Sequence, residues 1–228
     1  MKKKSKQRSE TLDAKHARAR KILTKLHRRY PEAGTALSFQ TPLQLLISVI
    51  LSAQCTDVRV NMVTPGLFKR YTSARAFAQA DPHELEEAIH STGFFRNKAK
   101  NIIGCCAALL EQHGGEVPRT MDELVRLPGV GRKTANCVLG GAYGIASGVV
   151  VDTHVARLST LLGLTKNTDP VKIESDLCGM IEKKDWIFVG NALILHGRQV
   201  CIARRPRCAE CILNELCPSA EVTVKAKG

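Results

Sequence analysis

Helix-start signatures recur along this sequence, whereas alternating strand patterns are nearly absent. Thr120 and Glu123 have the spacing of a capping box. The one short β-like run, ASGVVVD at 146–152, is interpreted as a connector. The chain therefore has the pattern of an all-α fold. A capping residue followed by proline, which favours a helix N-terminus, occurs at Thr41-Pro42, Asp81-Pro82 and Asp169-Pro170.

The longest strongly apolar run, LQLLISVIL at 43–51, predicts a central helix buried on most of its faces. It is far shorter than the roughly 18 residues that a membrane span needs. The N-terminus MKKKSKQRSE is followed by further charged residues and not by an apolar stretch, so it does not resemble a secretory signal. We therefore expect a cytoplasmic protein with no membrane partner.

The charge balance favours a polyanionic partner. The 228 residues include 34 Lys and Arg against 21 Asp and Glu, a net charge of +13 with a pI near 9.5. Nucleic acid or an acidic membrane surface would suit this charge, and a basic solvated surface without a partner is the alternative. Residues 1–21 are interpreted as a basic, flexible arm and residues 219–228 as a tail.

The segment LPGVGRKTANCVL at 127–139 predicts a helix-hairpin-helix motif over about 120–141. Pro128 would end the first helix, while Gly129 and Gly131 allow backbone angles and close approaches that a side chain would block. The exposed N–H groups of such a turn bind phosphate, here of DNA without regard to base sequence. An ordinary interhelical turn is the alternative. The candidate DNA contacts in this turn are Gly129, Val130, Gly131 and Arg132.

Two further residues combine a structural interpretation with a chemical one. Lys133 lies in the first turn of a helix, where the dipole and the neighbouring Arg132 disfavour its ammonium form. It is either a second phosphate contact or a neutral amine that acts as a nucleophile. Asp152, in VVVDTHVARL, either caps a helix or stabilises charge and moves a proton at a reacting sugar. Both roles of Asp152 are compatible.

Four cysteines crowd into seventeen positions near the C-terminus, in CIARRPRCAECILNELC. In a chain without a secretory signal this spacing indicates a metal site and not disulfides, and both zinc and an iron–sulfur cluster accept four thiolates. The five other cysteines are scattered in apolar surroundings, as small buried hydrophobic residues are. The candidate ligands are Cys201, Cys208, Cys211 and Cys217, and the candidate phosphate contacts between them are Arg204, Arg205 and Arg207.

Taken together, five segments resemble the motifs of the endonuclease III family of DNA repair enzymes, in the family order. They are LSAQCTDVRVN at 51–61, STGFFRNKAKNI at 91–102, LPGVGRKTAN at 127–136, VDTHVARL at 151–158 and HGRQVCIARRPRCAECILNELC at 196–217. The resemblance implies two helical lobes with DNA across the cleft. These are a six-helix barrel at 36–146 that carries the helix-hairpin-helix, and a lobe of 22–35 plus 147–218 around one 4Fe–4S cluster.

The resemblance also implies roles for individual residues. The four C-terminal cysteines would hold the cluster, Lys133 would be the nucleophile and Asp152 the catalytic aspartate. Gln54 would fill the gap that a flipped base leaves. Where many members have leucine, this chain has Phe94, an apolar residue able to stack between bases as a wedge.

The activity that the resemblance implies is removal of oxidised pyrimidines, such as thymine glycol, from duplex DNA by a monomeric enzyme. Strand cleavage 3′ to the abasic site would follow by β-elimination through a lysine Schiff base. Two alternatives remain at this point. One is a related adenine-type monofunctional glycosylase, which usually has another residue at position 133. The other is an iron–sulfur protein that binds DNA structure without cleaving it.

Overall fold

The computed structural model describes residues 10–220. All regular secondary structure in that range is helical. The all-α expectation is confirmed. The segment 146–152 is an irregular connector. Short 3-10 turns lie at His90–Thr92, Lys183–Asp185, Cys208–Glu210 and Asn214–Leu216. The α-helices are α1 (Leu12–Arg29), α2 (Pro42–Leu51), α3 (Asp57–Arg70), α4 (Ala74–Ala78), α5 (Pro82–Ile89), α6 (Phe95–His113), α7 (Met121–Leu124), α8 (Arg132–Tyr143), α9 (Thr153–Leu161), α10 (Pro170–Met180) and α11 (Trp186–Gln199).

The chain forms two compact units. Residues 34–150 form the middle unit, and residues 10–33 together with 151–220 form the terminal unit. The family resemblance predicts the corresponding boundaries at 36 and 146. Both chain ends therefore contribute to one unit, and the middle of the chain forms the other.

Helix α2 is the centre of the middle unit. It begins at Pro42 because the Thr41 hydroxyl accepts a hydrogen bond from the Gln44 N–H at 3.2 Å. Seven of its ten residues are buried, and it packs against α3, α6 and α8. A helix that is apolar on most faces needs such neighbours on several sides, because each exposed face would leave apolar surface in water.

The terminal unit is organised around α11, which packs against α1 and α9. Gly197 allows the close approach to α9, because a Cβ atom there would lie 2.9 Å from Nδ1 of His154. Helix α1 also contacts the turn Asn214–Leu216. The N-terminal helix thus supports the cysteine-rich segment at the other end of the chain.

The basic arm is shorter than its expected range of 1–21. Residues 12–21 belong to α1, which begins after Thr11, whose hydroxyl accepts a hydrogen bond from the Ala14 N–H at 3.3 Å. The buried face of α1 is formed by Ala19, Ile22 and Leu26. Because alanine is small and the surrounding residues are charged, the apolar periodicity of this helix is weak in the sequence. Residues 1–9 of the arm and 221–228 of the tail lie outside the described residues. No described helix is both long and apolar enough to cross a membrane.

Candidate active site and cluster-binding segment

The predicted hairpin lies between α7 and α8. Gly131 is the N-cap of α8, and Ala135 donates the first helical hydrogen bond to its carbonyl at 2.9 Å. Val130 is buried, and its N–H donates to the Leu127 carbonyl at 3.1 Å. Val130 therefore anchors the turn in the core, and the amides that can face a phosphate are those of its neighbours.

The two hairpin positions differ in whether the fold requires a glycine there. Gly129 has φ +74°, and a Cβ atom there would lie 2.7 Å from Cβ of Asn101 on α6. The fold itself therefore requires glycine at 129. Gly131 has an extended backbone with φ −89°, and a Cβ atom there would meet nothing within 4 Å. Nothing in the middle unit requires glycine at 131.

Lys133 and Arg132 form the first turn of α8 in the middle unit, and both are exposed. That turn contains no acidic residue, and its glycine cap offers no side-chain acceptor. Asp152 belongs to the terminal unit, where it caps α9 with Oδ1 accepting from the Val155 N–H at 2.8 Å. The capping role foreseen for Asp152 is confirmed, and this bond uses one of its two carboxylate oxygens.

Gln54 and Phe94, the residues expected to enter the DNA stack, share an unusual backbone. They are the two non-glycine residues in the described range with positive φ, 52° and 48° respectively. Gln54 is exposed in the turn after α2, and Phe94 is 61% exposed immediately before α6. Strained, exposed turn residues of this kind cluster at functional sites.

Sequence reasoning missed a buried cation between these two turns. Lys98 on α6 is only 4% exposed, and its ammonium contacts backbone of both turns. A signal for it exists in the sequence, because Lys98 shares the buried helical stripe of Ala99, Ile102 and Cys105. A lysine at a core position of an amphipathic helix is seldom buried without a partner.

All four C-terminal thiols line one apolar cavity in the terminal unit, together with residues of α9 and α11. Within residues 10–220, no group of three or more His, Cys, Asp or Glu is arranged so that it could hold a metal ion. Burial raises the pKa of the Cys211 and Cys217 thiols. Thiolates at these positions therefore need a compensating positive charge, which bound metal supplies.

Hydrogen-bond donors point at the sulfur atoms of this cavity. Arg157 lies 3.6 Å from Sγ of Cys201 and donates to the Cys201 carbonyl at 2.7 Å. The N–H of Leu213 donates to Sγ of Cys211 at 3.4 Å, and Nε2 of His196 lies 3.3 Å from the same sulfur. Donors of this kind stabilise cluster thiolates and tune their potential.

His196 is held in one tautomer when Cys211 is a thiolate. Burial, with a smaller contribution from Arg29, lowers the pKa of His196 to about 4, which favours the neutral ring. A thiolate only accepts hydrogen bonds, so Nε2–H donates to Cys211 and Nδ1 accepts from the Tyr30 hydroxyl at 3.0 Å. Sequence reasoning missed His196, although it continues the buried stripe of Val189 and Leu193 on α11.

The cavity thus brings together four thiols and nearby hydrogen-bond donors, and four thiolates are a donor set that an iron–sulfur cluster accepts. The bound cluster would hold together the segment 201–217, whose own regular structure is two short 3-10 turns. Arg204, Arg205 and Arg207 are exposed on the loop between the first two cysteines. They are available to a ligand in solution, as the sequence analysis expects.

Comparison with known proteins agrees with this geometry. Residues 47–183 match a family model described as HhH-GPD superfamily base excision DNA repair protein, and residues 201–217 match the iron-sulfur binding domain of endonuclease III. The second match begins at Cys201 and ends at Cys217, the outer two of the four thiols. The chain is 58% identical to endonuclease III of Synechocystis sp. over 92% of this chain and 96% of that protein.

Two solved structures are also similar, each with a TM-score of 0.86 and 41% identity over 90% of this chain and 96% of the other. One is a non-covalent endonuclease III–DNA complex, and the other is a trapped endonuclease III–DNA covalent intermediate. The expected resemblance and the 4Fe–4S cluster are thereby confirmed. The chain belongs to the endonuclease III family, the bifunctional DNA glycosylases and abasic-site lyases of base excision repair.

Proposed function

We propose that this protein excises oxidised pyrimidines, such as thymine glycol, from duplex DNA and cleaves the strand through Lys133. The observation that carries the proposal is the exposed Lys133 in the first turn of α8, directly after the glycine hairpin. Amides that bind the DNA backbone and an amine that reacts with the sugar then share a few consecutive residues. Such placement holds the reacting atoms in a fixed geometry.

The chemistry has three steps once the damaged nucleotide has left the stack. The neutral amine of Lys133 attacks C1′, and the base departs with the electrons of the C1′–N bond. Loss of the amine proton and opening of the sugar give a Schiff base. Removal of the C2′ proton then expels the 3′ phosphate, which breaks the strand. The similar protein trapped as a covalent intermediate with DNA supports this assignment.

We assign two tasks to Asp152. One carboxylate oxygen holds the start of α9 through the Val155 N–H. The other stabilises positive charge that develops on the sugar and assists proton movement. Replacement of Asp152 by asparagine separates the tasks, because an asparagine side chain also caps helices but carries no charge.

The proposed DNA contacts follow from position and chemistry. The amides of Gly129 and Gly131, with Arg132, bind backbone phosphate, and so do the three exposed arginines of the cluster loop. Gln54 fills the gap left by the flipped nucleotide, and Phe94 inserts beside it. The exposed side chains and strained backbones of the last two residues support these roles. We further propose a monomer that acts on nucleoid DNA in the cytoplasm.

Borohydride trapping tests the assignment. Wild-type protein should form a trapped adduct with duplexes that contain thymine glycol or an abasic site. Lys133→Gln should lose the adduct and at least roughly 100-fold in excision rate, while Lys166→Gln, an exposed lysine of the terminal unit, should retain both. Asp152→Asn should melt near the wild-type temperature but lose roughly 100-fold or more in rate.

Two outcomes would contradict the proposal. Absence of an adduct on any lesion, with DNA binding intact, would favour the binding-only alternative. Base excision without an adduct would favour a monofunctional glycosylase.

A further inference from the structure

A single buried lysine connects the two turns that carry Gln54 and Phe94. Nζ of Lys98 donates to the Leu51 carbonyl at 2.7 Å and to the Thr92 carbonyl at 2.8 Å. Its backbone N–H donates to the Phe94 carbonyl at 3.1 Å. Lys98 is 4% exposed, so these bonds are shielded from water. All of these residues belong to the middle unit.

The two carbonyls bound by Lys98 are of a particular kind. Leu51 is the last residue of α2, and Thr92 is the last residue of the turn His90–Thr92. Carbonyls at helix ends have no intrahelical partner and carry partial negative charge. A positively charged or neutral amine offers at least two N–H donors, enough for both acceptors. Lys98 thereby donates hydrogen bonds to the terminal carbonyls of two helices that are far apart in sequence.

Each of these two helix ends is followed directly by a strained turn. Gln54 follows Leu51 by three residues and has φ 52°, while Phe94 follows Thr92 by two residues and has φ 48°. Non-glycine residues adopt such angles only where their surroundings hold them. The shared contact to Lys98 fixes the start of both turns, and thus the spacing between them.

We propose that Lys98 is a positioning residue that holds the Gln54 and Phe94 turns as one rigid pair, so that both side chains enter the DNA stack together. This rests on the proposed function, because it assumes that these two side chains contact DNA. Lys98 itself touches neither substrate nor reacting atoms. Its contribution is pre-organisation, which lowers the entropy lost when the stack is opened.

Lys98→Met tests the proposal, because methionine keeps the length and apolar stem of the side chain but removes the donors. Two substrates are compared: thymine glycol in duplex DNA, and an abasic site in single-stranded DNA, where no stack has to be opened. We expect duplex excision under single-turnover conditions to fall roughly 10- to 100-fold, as for a misplaced group. Cleavage of the single-stranded abasic site should stay near the wild-type rate.

A second readout follows the stack directly. 2-Aminopurine opposite a stable abasic analogue fluoresces more when protein unstacks it, and saturating Lys98→Met should give a smaller increase than wild type. The matched control is Lys100→Met, which makes the same substitution at an exposed position of α6. It should behave as wild type on both substrates. Should Lys98→Met not fold, Lys98→Gln, too short to span both carbonyls, undergoes the same comparison.

The outcomes separate this proposal from the proposed function. Equal loss on both substrates would show a purely structural lysine and overturn the proposal, and so would unchanged duplex excision with an unchanged 2-aminopurine signal. Wild-type protein that cleaves neither substrate would overturn the proposed function instead. Selective loss on the duplex, with the reduced fluorescence increase, supports the proposal.

Discussion

Alanine substitutions at the two hairpin glycines should affect different properties. Gly129→Ala should lower stability, whereas Gly131→Ala should weaken DNA binding. At Gly129 the new Cβ would lie 2.7 Å from Cβ and 2.9 Å from Cγ of Asn101. Cβ of Asn101 is fixed to the α6 backbone, so a change of rotamer cannot remove the clash. Overpacking of this kind costs about 1–3 kcal/mol. The left-handed backbone at φ +74° adds roughly 1–2 kcal/mol for any residue with a Cβ.

The total for Gly129→Ala is therefore about 2–5 kcal/mol in the free energy of unfolding. For a chain of this size each kcal/mol shifts Tm by roughly 2–4 °C, so we expect a fall of about 4–20 °C in a thermal melt. For Gly131→Ala two small effects oppose each other. Alanine restricts the unfolded chain, which stabilises by about 0.4–1 kcal/mol, but it is a poorer N-cap than glycine by roughly the same amount. The melting temperature should hardly change.

For DNA affinity, the variant that should be weakened is Gly131→Ala. In the phosphate contact that we propose, a Cβ at residue 131 would crowd the approach to the amides of the hairpin. Loss of one charge-assisted hydrogen bond costs about 1.5–3 kcal/mol, which corresponds to roughly a 10- to 100-fold weaker Kd. The assay is titration of an abasic-analogue duplex at one fixed salt concentration, well below both melting temperatures. Wild-type affinity in Gly131→Ala would refute the phosphate contact, and wild-type stability in Gly129→Ala would refute the packing argument.

Two further predictions concern the terminal unit. Gly197→Ala should lower the free energy of unfolding by about 1–3 kcal/mol, because the new Cβ would lie 2.9 Å from Nδ1 of His154. Gly179→Ala is its control in α10, where nothing lies within 4 Å, and calorimetry should show it unchanged or stabilised by up to about 1 kcal/mol. Cys211→Ser should reduce the yellow-brown near-visible absorption and the iron content of purified protein. Cys178→Ser, outside the cavity, should leave both at wild-type values, and equal loss in the two variants would refute the ligand assignment.

Local signals were sufficient to predict much of the fold. The caps at Thr41, Asp81, Thr120 and Asp169 all open helices as expected, because a side-chain acceptor for a first-turn N–H acts over three residues. The start of α1 was not foreseen. Its buried face relies on small Ala19 and on contacts with the far end of the chain, which no local pattern shows.

The site was predicted less completely, for the same physical reason. Cysteine spacing and the glycine hairpin are local, so both could be read along the chain. The Lys98 contact to Leu51 joins residues 47 positions apart, and the His196 contact to Cys211 depends on how α11 meets the cysteine-rich loop. A polar residue in an apolar helical stripe indicates that the residue is buried. The pattern does not indicate which residue it contacts.

The helix caps also show where the chain departs from its own rules. Eight of the eleven α-helices in residues 10–220 have a Ser, Thr or Asp cap whose side chain accepts a first-turn N–H. Such a cap stabilises by about 1 kcal/mol. Helix α11 lacks it, with Asp185 at the N-cap directly after the turn Lys183–Asp185. Helices α6 and α8 also lack it, with Phe94 and Gly131 at the N-cap, and α8 places Arg132 and Lys133 in its first turn. Conflict with local preference is expected where function requires it, and these two helix starts are the ones that we propose meet DNA. A serine at 131 would restore the cap but place a side chain between the hairpin amides and the phosphate.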